Sequence, residues 1–361
     1  MWSPIEDLLT EAKTNKLFSG CALSIRTLDE ELFVTSTGLS ELRPNRRIAT
    51  SDTIWDLASL TKVLCTSHLL LRWAASGKIH VNMPISDVLP EVPKEITIAD
   101  CLSHSSGYGA WRPFYASHTR KLERWKKGDC RDEILQTVIK SRPESMPMIQ
   151  HKYSDIGFLI LCAFIERMSG LRIDKVWRRD LPVTATRGLY WGNAQAAATE
   201  DCPVRNRVVV GEVHDLNAAA MGGVSTHAGL FGSVRSVANA AIWPLRAWYN
   251  QDPTIPKTLV EEFWTYRGAG THCLGWDTPS PLHSSASELW PKDGIGHLGF
   301  TGCSFWLSPS LKLAVCFLSN RVHPIVEGGS IPNAPQHPRL KAFKQMRQEL
   351  HRRIITIFKR L

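Results

Sequence analysis

No C-x-x-C pair occurs in this sequence, although it has nine cysteines, placed singly at 21, 65, 101, 130, 162, 202, 273, 303 and 316. The count is odd, and several lie inside apolar runs such as Ala314-Val315-Cys316-Phe317-Leu318. That pattern argues against a disulfide framework and reads as buried free thiols in a reducing compartment. No run reaches the roughly 18 apolar residues of a membrane span, so no integral membrane segment is expected. No basic leader is expected either. Glu6 and Asp7 stand where a secretory signal carries positive charge, and a cytoplasmic location is expected. Repeats and low-complexity blocks are also absent.

What is present is a chain of 361 residues, 43% hydrophobic, long enough for one large domain or two modest ones. Its formal charge of +9 is spread thinly until Pro338–Leu361. There Arg339, Lys341, Lys344, Arg347, Arg352, Arg353, Lys359 and Arg360 interleave with Leu340, Phe343, Met346, Leu350, Ile354, Ile355 and Phe358. This is the pattern of an amphipathic helix docked by its apolar face with a solvated basic face, so no nucleic-acid partner is expected.

Along the chain, Ser3-Pro4 followed by Ile5, Leu8, Leu9 and Ala12 predicts a capped helix. Cys21–Thr27 and Glu31–Ser36 alternate apolar and polar residues, which predicts a hairpin. Gly38 to Asp52 reads as a polar connection. Helical patterns follow at Ser67–Ala75, Arg131–Ser141 and Ser154–Ser169, and nothing between Thr66 and Asn206 reads as a strand. Strand signals return at Gly229–Ser233, Thr271–Trp276, Ser304–Ser308 and Leu313–Ser319. Strands early and late around a helical middle predict an α/β fold with an antiparallel sheet flanked by helices and an inserted all-helical lobe. The expected boundaries are 1–66 with 207–361 for the sheet domain and 67–206 for the lobe, with the active site in the cleft between them.

The chemistry starts at Ser59-Leu60-Thr61-Lys62. On a helix, positions i and i+3 share a face, so the ammonium of Lys62 can reach the hydroxyl of Ser59. A serine needs such a neighbour to act as a nucleophile. By itself the spacing is common. Three further stretches stand in order behind it: Leu102-Ser103-His104-Ser105-Ser106-Gly107, Tyr153-Ser154-Asp155 before a helix, and His297-Leu298-Gly299 entering a strand.

Together these motifs resemble the serine hydrolases that include class C β-lactamases and D-alanyl-D-alanine carboxypeptidases, and the resemblance covers most of the chain. It implies Ser59 as nucleophile, with Lys62 and Tyr153 exchanging its proton as a coupled pair. It implies an oxyanion hole from the backbone amides of Ser59 and Phe300. Substrate-binding roles are implied for Ser154, Asp155, His297, Leu298 and Gly299. Where other branches carry lysine, position 297 is histidine, whose ordinary pKa of about 6.5 leaves it mostly neutral at pH 7 and able to titrate near there. That moves weight from β-lactamase toward peptidase, amidase or esterase activity.

A second stretch, Gly211-Glu212-Val213-His214-Asp215-Leu216-Asn217 with Gly222-Gly223-Val224-Ser225-Thr226-His227-Ala228-Gly229-Leu230-Phe231, resembles one subgroup of these hydrolases. In bacteria that subgroup stands alongside, or fused to, glycosidases that trim cell-wall sugars. His214 and Asp215 would line the substrate cleft or brace each other, and His227 would be structural. No spaced ligand set matches a zinc pattern, so neither metal nor cofactor is expected. Trp111, Tyr115, Trp125 and Trp191 could wall a cleft or belong to the core. The expected substrate is a small D-amino-acid-containing peptide of muropeptide type, or a related amide or ester. The alternatives are a β-lactamase or small-ester esterase of the same fold, or a catalytically silent muropeptide-binding protein. No partner protein is identifiable.

Overall fold

Both chain ends build one antiparallel sheet. The computed structural model describes residues 1–265, 270–282, 284–326 and 338–361. β1 (Gly20–Thr27) and β2 (Glu31–Glu41) form the expected hairpin. Its turn is closed by Thr27 Oγ1, which accepts from the N–H groups of Asp29 and Glu30 at 3.3 and 3.1 Å. Part of the presumed polar connection is ordered, because β2 runs on to Glu41 and pairs with β3 (Arg47–Ile48). A separate small sheet holds β4 (Trp55–Asp56), β5 (Leu189–Trp191) and β8 (Leu230–Gly232), while β6 (Ala198–Cys202) pairs with β7 (Arg207–Val210). β9 (Ile295–Leu298), β10 (Ser304–Ser308) and β11 (Leu313–Ser319) complete the six-stranded sheet in the order β3-β2-β1-β11-β10-β9.

Period-two alternation sorts this sheet's side chains into two cores. Leu23, Ile25, Trp306, Val315 and Phe317 face the helices Ser3–Thr14 and Pro338–Phe358. Ala22, Phe305, Leu307, Cys316 and Leu318 face the larger core shared with the lobe. The terminal helix buries Phe343, Met346, Leu350, Ile354 and Ile355, as its pattern predicts. All nine cysteines are buried and stand outside disulfides. Among the described residues no helix is long and apolar enough to cross a membrane.

Three local expectations give way. Ser3 does not cap the first helix, whose N-cap is Trp2 with no side-chain hydrogen bond. The lobe holds β5 and β6, strands too short for alternation to show, with β5 ordered by pairing to β8 from a distant segment. Thr271–Trp276 is not a strand. Gly275 has φ 96°, and a Cβ there would lie 1.7 Å from Ser67 Oγ, so the chain turns where the pattern suggested extension.

The lobe is organised around the helix Asp155–Ser169, buried along Ile156–Ile165. Ser154 caps its start and Gly170, at φ 70°, ends it. This places Tyr153 and Asp155 at the helix N-terminus, facing the segment that follows β4.

Candidate active site

Asp56 organises the nucleophile turn. It is buried at the end of β4 and accepts from the N–H groups of Ala58 (2.8 Å) and His214 (2.6 Å). Burial raises its pKa, against those bonds. Ala58 sits at φ 45°, a costly conformation for a residue with a Cβ, and the Asp56 carboxylate holds it there. Thr61 N–H to Ala58 O and Lys62 N–H to Ser59 O are i→i+3 bonds, so the turn is tight where a regular helix was expected. It then widens into a π-helical stretch, Lys62–Ser67, before the α-helix His68–Ala75.

Lys62 is fully buried. Its Nζ lies 3.1 Å from Ser59 Oγ, 2.5 Å from Asp155 Oδ1 and 3.5 Å from the His227 carbonyl, so each of its three donors has an acceptor. Burial pulls its pKa down, but the negative charge of Asp155, with Tyr153 in support, outweighs that and raises it. Tyr153 lies beside it, with Nζ 4.9 Å from the ring centroid. Burial pushes the phenol up, Lys62 opposes, Asp155 adds to the rise, and the balance is upward. Partial exposure of Tyr153 tempers that push. At neutral pH the pair rests as ammonium and phenol.

Two residues expected to bind substrate are otherwise engaged. Ser154 is buried, with Oγ donating to Gly109 O (2.7 Å) and accepting from Gly157 N–H (3.1 Å), so it serves as a helix cap. Asp155 is the counter-ion of Lys62.

Across the cleft, β9 ends against the nucleophile turn. A Cβ on Gly299 would lie 2.8 Å from Leu57 O, so this approach requires glycine. Leu298 packs toward the second core. Phe300 is exposed, and its carbonyl accepts from Arg321 at 2.7 Å. Neither Ser59 N–H nor Phe300 N–H has a partner among the described residues. His297 is buried and its Nδ1–H donates to Leu298 O at 2.8 Å, which leaves Nε2 as a bare lone pair. Burial, and then Lys62, lowers its pKa to about 3. The expectation that it titrates near pH 7 is therefore corrected: it is neutral throughout the physiological range.

His297 belongs to a cluster that the sequence reading did not assemble. One ring nitrogen from each of His104, His272 and His297 lies within 4.8 Å of the others, and His151 Nε2 is 3.1 Å from His272 Nδ1. The His104 ring lies 4.4 Å from that of Tyr153. Burial lowers the pKa of His104 and His272 well below the ordinary value. Three histidines suggest a metal, but tautomers oppose it. His104 Nδ1 accepts from Ser154 N–H at 3.0 Å, so Nε2 carries the proton and offers no lone pair. A second group, Asp155, Asp215 and His227, is also spent internally. Asp155 holds Lys62, and Asp215 accepts from His227 Nε2 at 2.9 Å and from Ala218 N–H at 2.7 Å as a helix cap. Burial raises the Asp215 pKa, but His227 and the cap outweigh it, so it stays below the usual carboxylate range.

His214 and Asp215 do not brace each other. The His214 ring stacks on Phe300 at 5.4 Å, with Nε2 3.4 Å from Glu200. On the far side of the Gly211–Val213 segment lies a cavity of about 500 Å³ walled by Trp125 and Trp191, in which Arg205 and Arg207 face Glu212. It touches none of Ser59, Lys62 or Tyr153. Trp125 is therefore core on one side and cavity wall on the other, whereas Trp111 is exposed.

The chain is 26% identical over 320 residues to N-acetylmuramyl-L-alanine amidase of Bacillus subtilis (strain 168), covering 78% of this chain and 71% of the relative. It is 28% identical over 322 residues to an Escherichia coli (strain K12) protein provisionally named D-alanyl-D-alanine carboxypeptidase, covering 79% and 73%. Among solved structures, the fold matches EstCE1, a hydrolase with promiscuous acyltransferase activity, with a TM-score of 0.72 at 14% identity, covering 96% of this chain and 97% of that one. The family model described as Beta-lactamase matches residues 5–333, so the chain belongs to that family and is a serine hydrolase.

Proposed function

We propose that Ser59 forms an acyl-enzyme with a D-amino-acid-containing peptide of the cell-wall muropeptide type, or a related amide or ester, which water then hydrolyses. Ser59 Oγ attacks the carbonyl carbon and passes its proton to the Lys62–Tyr153 pair. The leaving nitrogen or oxygen takes a proton as its bond breaks, and water repeats the sequence on the ester. Developing negative charge on the carbonyl oxygen meets the unpartnered N–H groups of Ser59 and Phe300. The reacting form is the one in which Tyr153 has given its resting proton to solvent: with Lys62 held as ammonium by Asp155, the Tyr153 phenolate accepts the serine proton and Lys62 is the fixed cation beside it. His297, Gly299 and His214 flank the acyl group.

The observation that carries this reading is Lys62 Nζ 3.1 Å from Ser59 Oγ with Tyr153 beside both. The muropeptide class is supported by the names of the amidase and carboxypeptidase relatives. A panel of muropeptides, D-amino-acid esters and nitrocefin tests it. We expect turnover of amides or esters with little of nitrocefin, because a neutral His297 offers a β-lactam carboxylate no cation. Tight muropeptide binding with no turnover of any panel member would favour a silent binding protein.

A further inference from the structure

The loop 144–152 enters the cleft at Tyr153 and is firmly built. Glu144 N–H and Ser145 N–H both donate to Gly107 O (2.7 and 3.3 Å), Met148 N–H to Ser105 O (2.8 Å) and Lys152 N–H to His104 O (2.9 Å). A Cβ on Gly107 would lie 2.1 Å from Ser145 O, so this close approach depends on glycine. An ion pair between Lys152 and Glu144 at 2.6 Å ties the two ends together. Met148 is held at φ 63°, a strained conformation that the anchored loop enforces.

What this loop displays is apolar. Met146, Met148 and Ile149 are 61%, 49% and 71% exposed, and Trp111, one residue beyond the Ala110 carbonyl that bonds Asp155 N–H, is 40% exposed. Single exposed hydrophobic residues are ordinary, but three within four positions on an anchored loop are a patch. Two of them are methionines, which adapt to an irregular apolar ligand. Gln150, His151 and Lys152 separate the patch from Tyr153 along the chain, but its backbone hangs from Ser105 and His104, and the His104 ring lies 4.4 Å from that of Tyr153, itself 37% exposed.

We propose that loop 144–152 is a binding platform for a hydrocarbon chain of several carbons on the ester or amide substrate. The inference rests on Ser59 as the acylated nucleophile and adds the substrate's apolar part. Anchorage of the loop on the His104–Ser105 segment, beside Tyr153, selects a substrate chain over a lipid surface as the occupant.

The test uses two series on the full chain: p-nitrophenyl esters of straight-chain acids from acetate to decanoate, and acetates of straight-chain alcohols. Each is run on the natural protein and on Met146→Ser/Met148→Ser/Ile149→Ser. A methylene fully buried gives about a fourfold gain, so partial burial of several predicts a rise of about tenfold or more in kcat/KM along at least one series. The triple variant should lose that rise while keeping its acetate rate and Tm. A flat dependence in both series, or a rise that survives in the variant, overturns the proposal. So does a flat dependence with vesicle co-sedimentation that the variant loses, which would assign the patch to a lipid surface. Failure to hydrolyse any ester, with no acyl adduct on Ser59, would overturn the nucleophile reading itself and the platform with it.

Discussion

The two walls of the cleft treat buried polar groups in opposite ways. On one side Lys62 stays charged in the interior because Ser59, Asp155 and the His227 carbonyl satisfy all three of its donors. On the other side His104 and His297 are buried without a carboxylate in contact among the described residues, His272 has only Asp277 at 3.9 Å, whose own pKa burial raises to about 6, and all three histidines give up their charge. A buried ion survives only when its surroundings repay the lost hydration, and otherwise the group neutralises. Among the described residues the site therefore keeps its cation beside Ser59 and presents a neutral histidine wall opposite.

Removing the cation should have the largest effect. Lys62→Met leaves Asp155 without its partner, and we expect a loss of about 3 kcal/mol in stability by denaturant unfolding. The same variant should lose about a thousandfold in kcat. Adding Asp155→Asn should restore much of the stability and none of the activity. If the double variant were as unstable as the single one, the ion pair would not be what keeps Lys62 in place.

Asp155→Asn alone makes a subtler change, because the amide still accepts from Lys62. The Asp155 charge raises the pKa of both Lys62 and Tyr153. Its removal lowers both, so the rising limb of kcat/KM should move toward lower pH by about one unit. A limb that stays in place, or moves upward, would separate Asp155 from the proton path.

How far this was readable in advance differs along the chain. The convergence of Ser59, Lys62 and Tyr153 was accessible because local spacing and motif order carry it. The hairpin and β10–β11 were accessible because alternation and continuous apolar runs report burial directly. The pairing of Asp155 with Lys62 was not legible because its partner lies 93 residues away, and only the fold aims the helix N-terminus at Lys62. The histidine cluster draws on four separate segments, and nothing local marks His151 or His272 as neighbours of His297. Asp56, three residues before Ser59, was overlooked, since one of its two backbone bonds depends on the return of His214 to β4.

The last expected effect is silent at neutral pH and concerns a buried neutral histidine. His68 is buried against Trp243 and Trp276 with neither ring nitrogen paired, and burial lowers its pKa to about 3. The unfolded chain takes up this proton near pH 6.5 and the folded chain does not until about pH 3. Stability from this residue is thus complete above pH 6.5 and declines as pH falls, by about 1.4 kcal/mol per unit. His68→Leu should flatten the dependence of Tm on pH between 4 and 6 while leaving pH 8 almost unchanged. An identical slope in the variant would place the acid sensitivity elsewhere.

The most direct test of the account is intact-protein mass spectrometry after brief exposure to a slowly hydrolysed acyl donor. The account predicts a mass gain of one acyl group, mapped by peptide digestion to Ser59 and absent from Ser59→Ala. An equal adduct on Ser59→Ala, or an adduct mapped to any other residue, would contradict it.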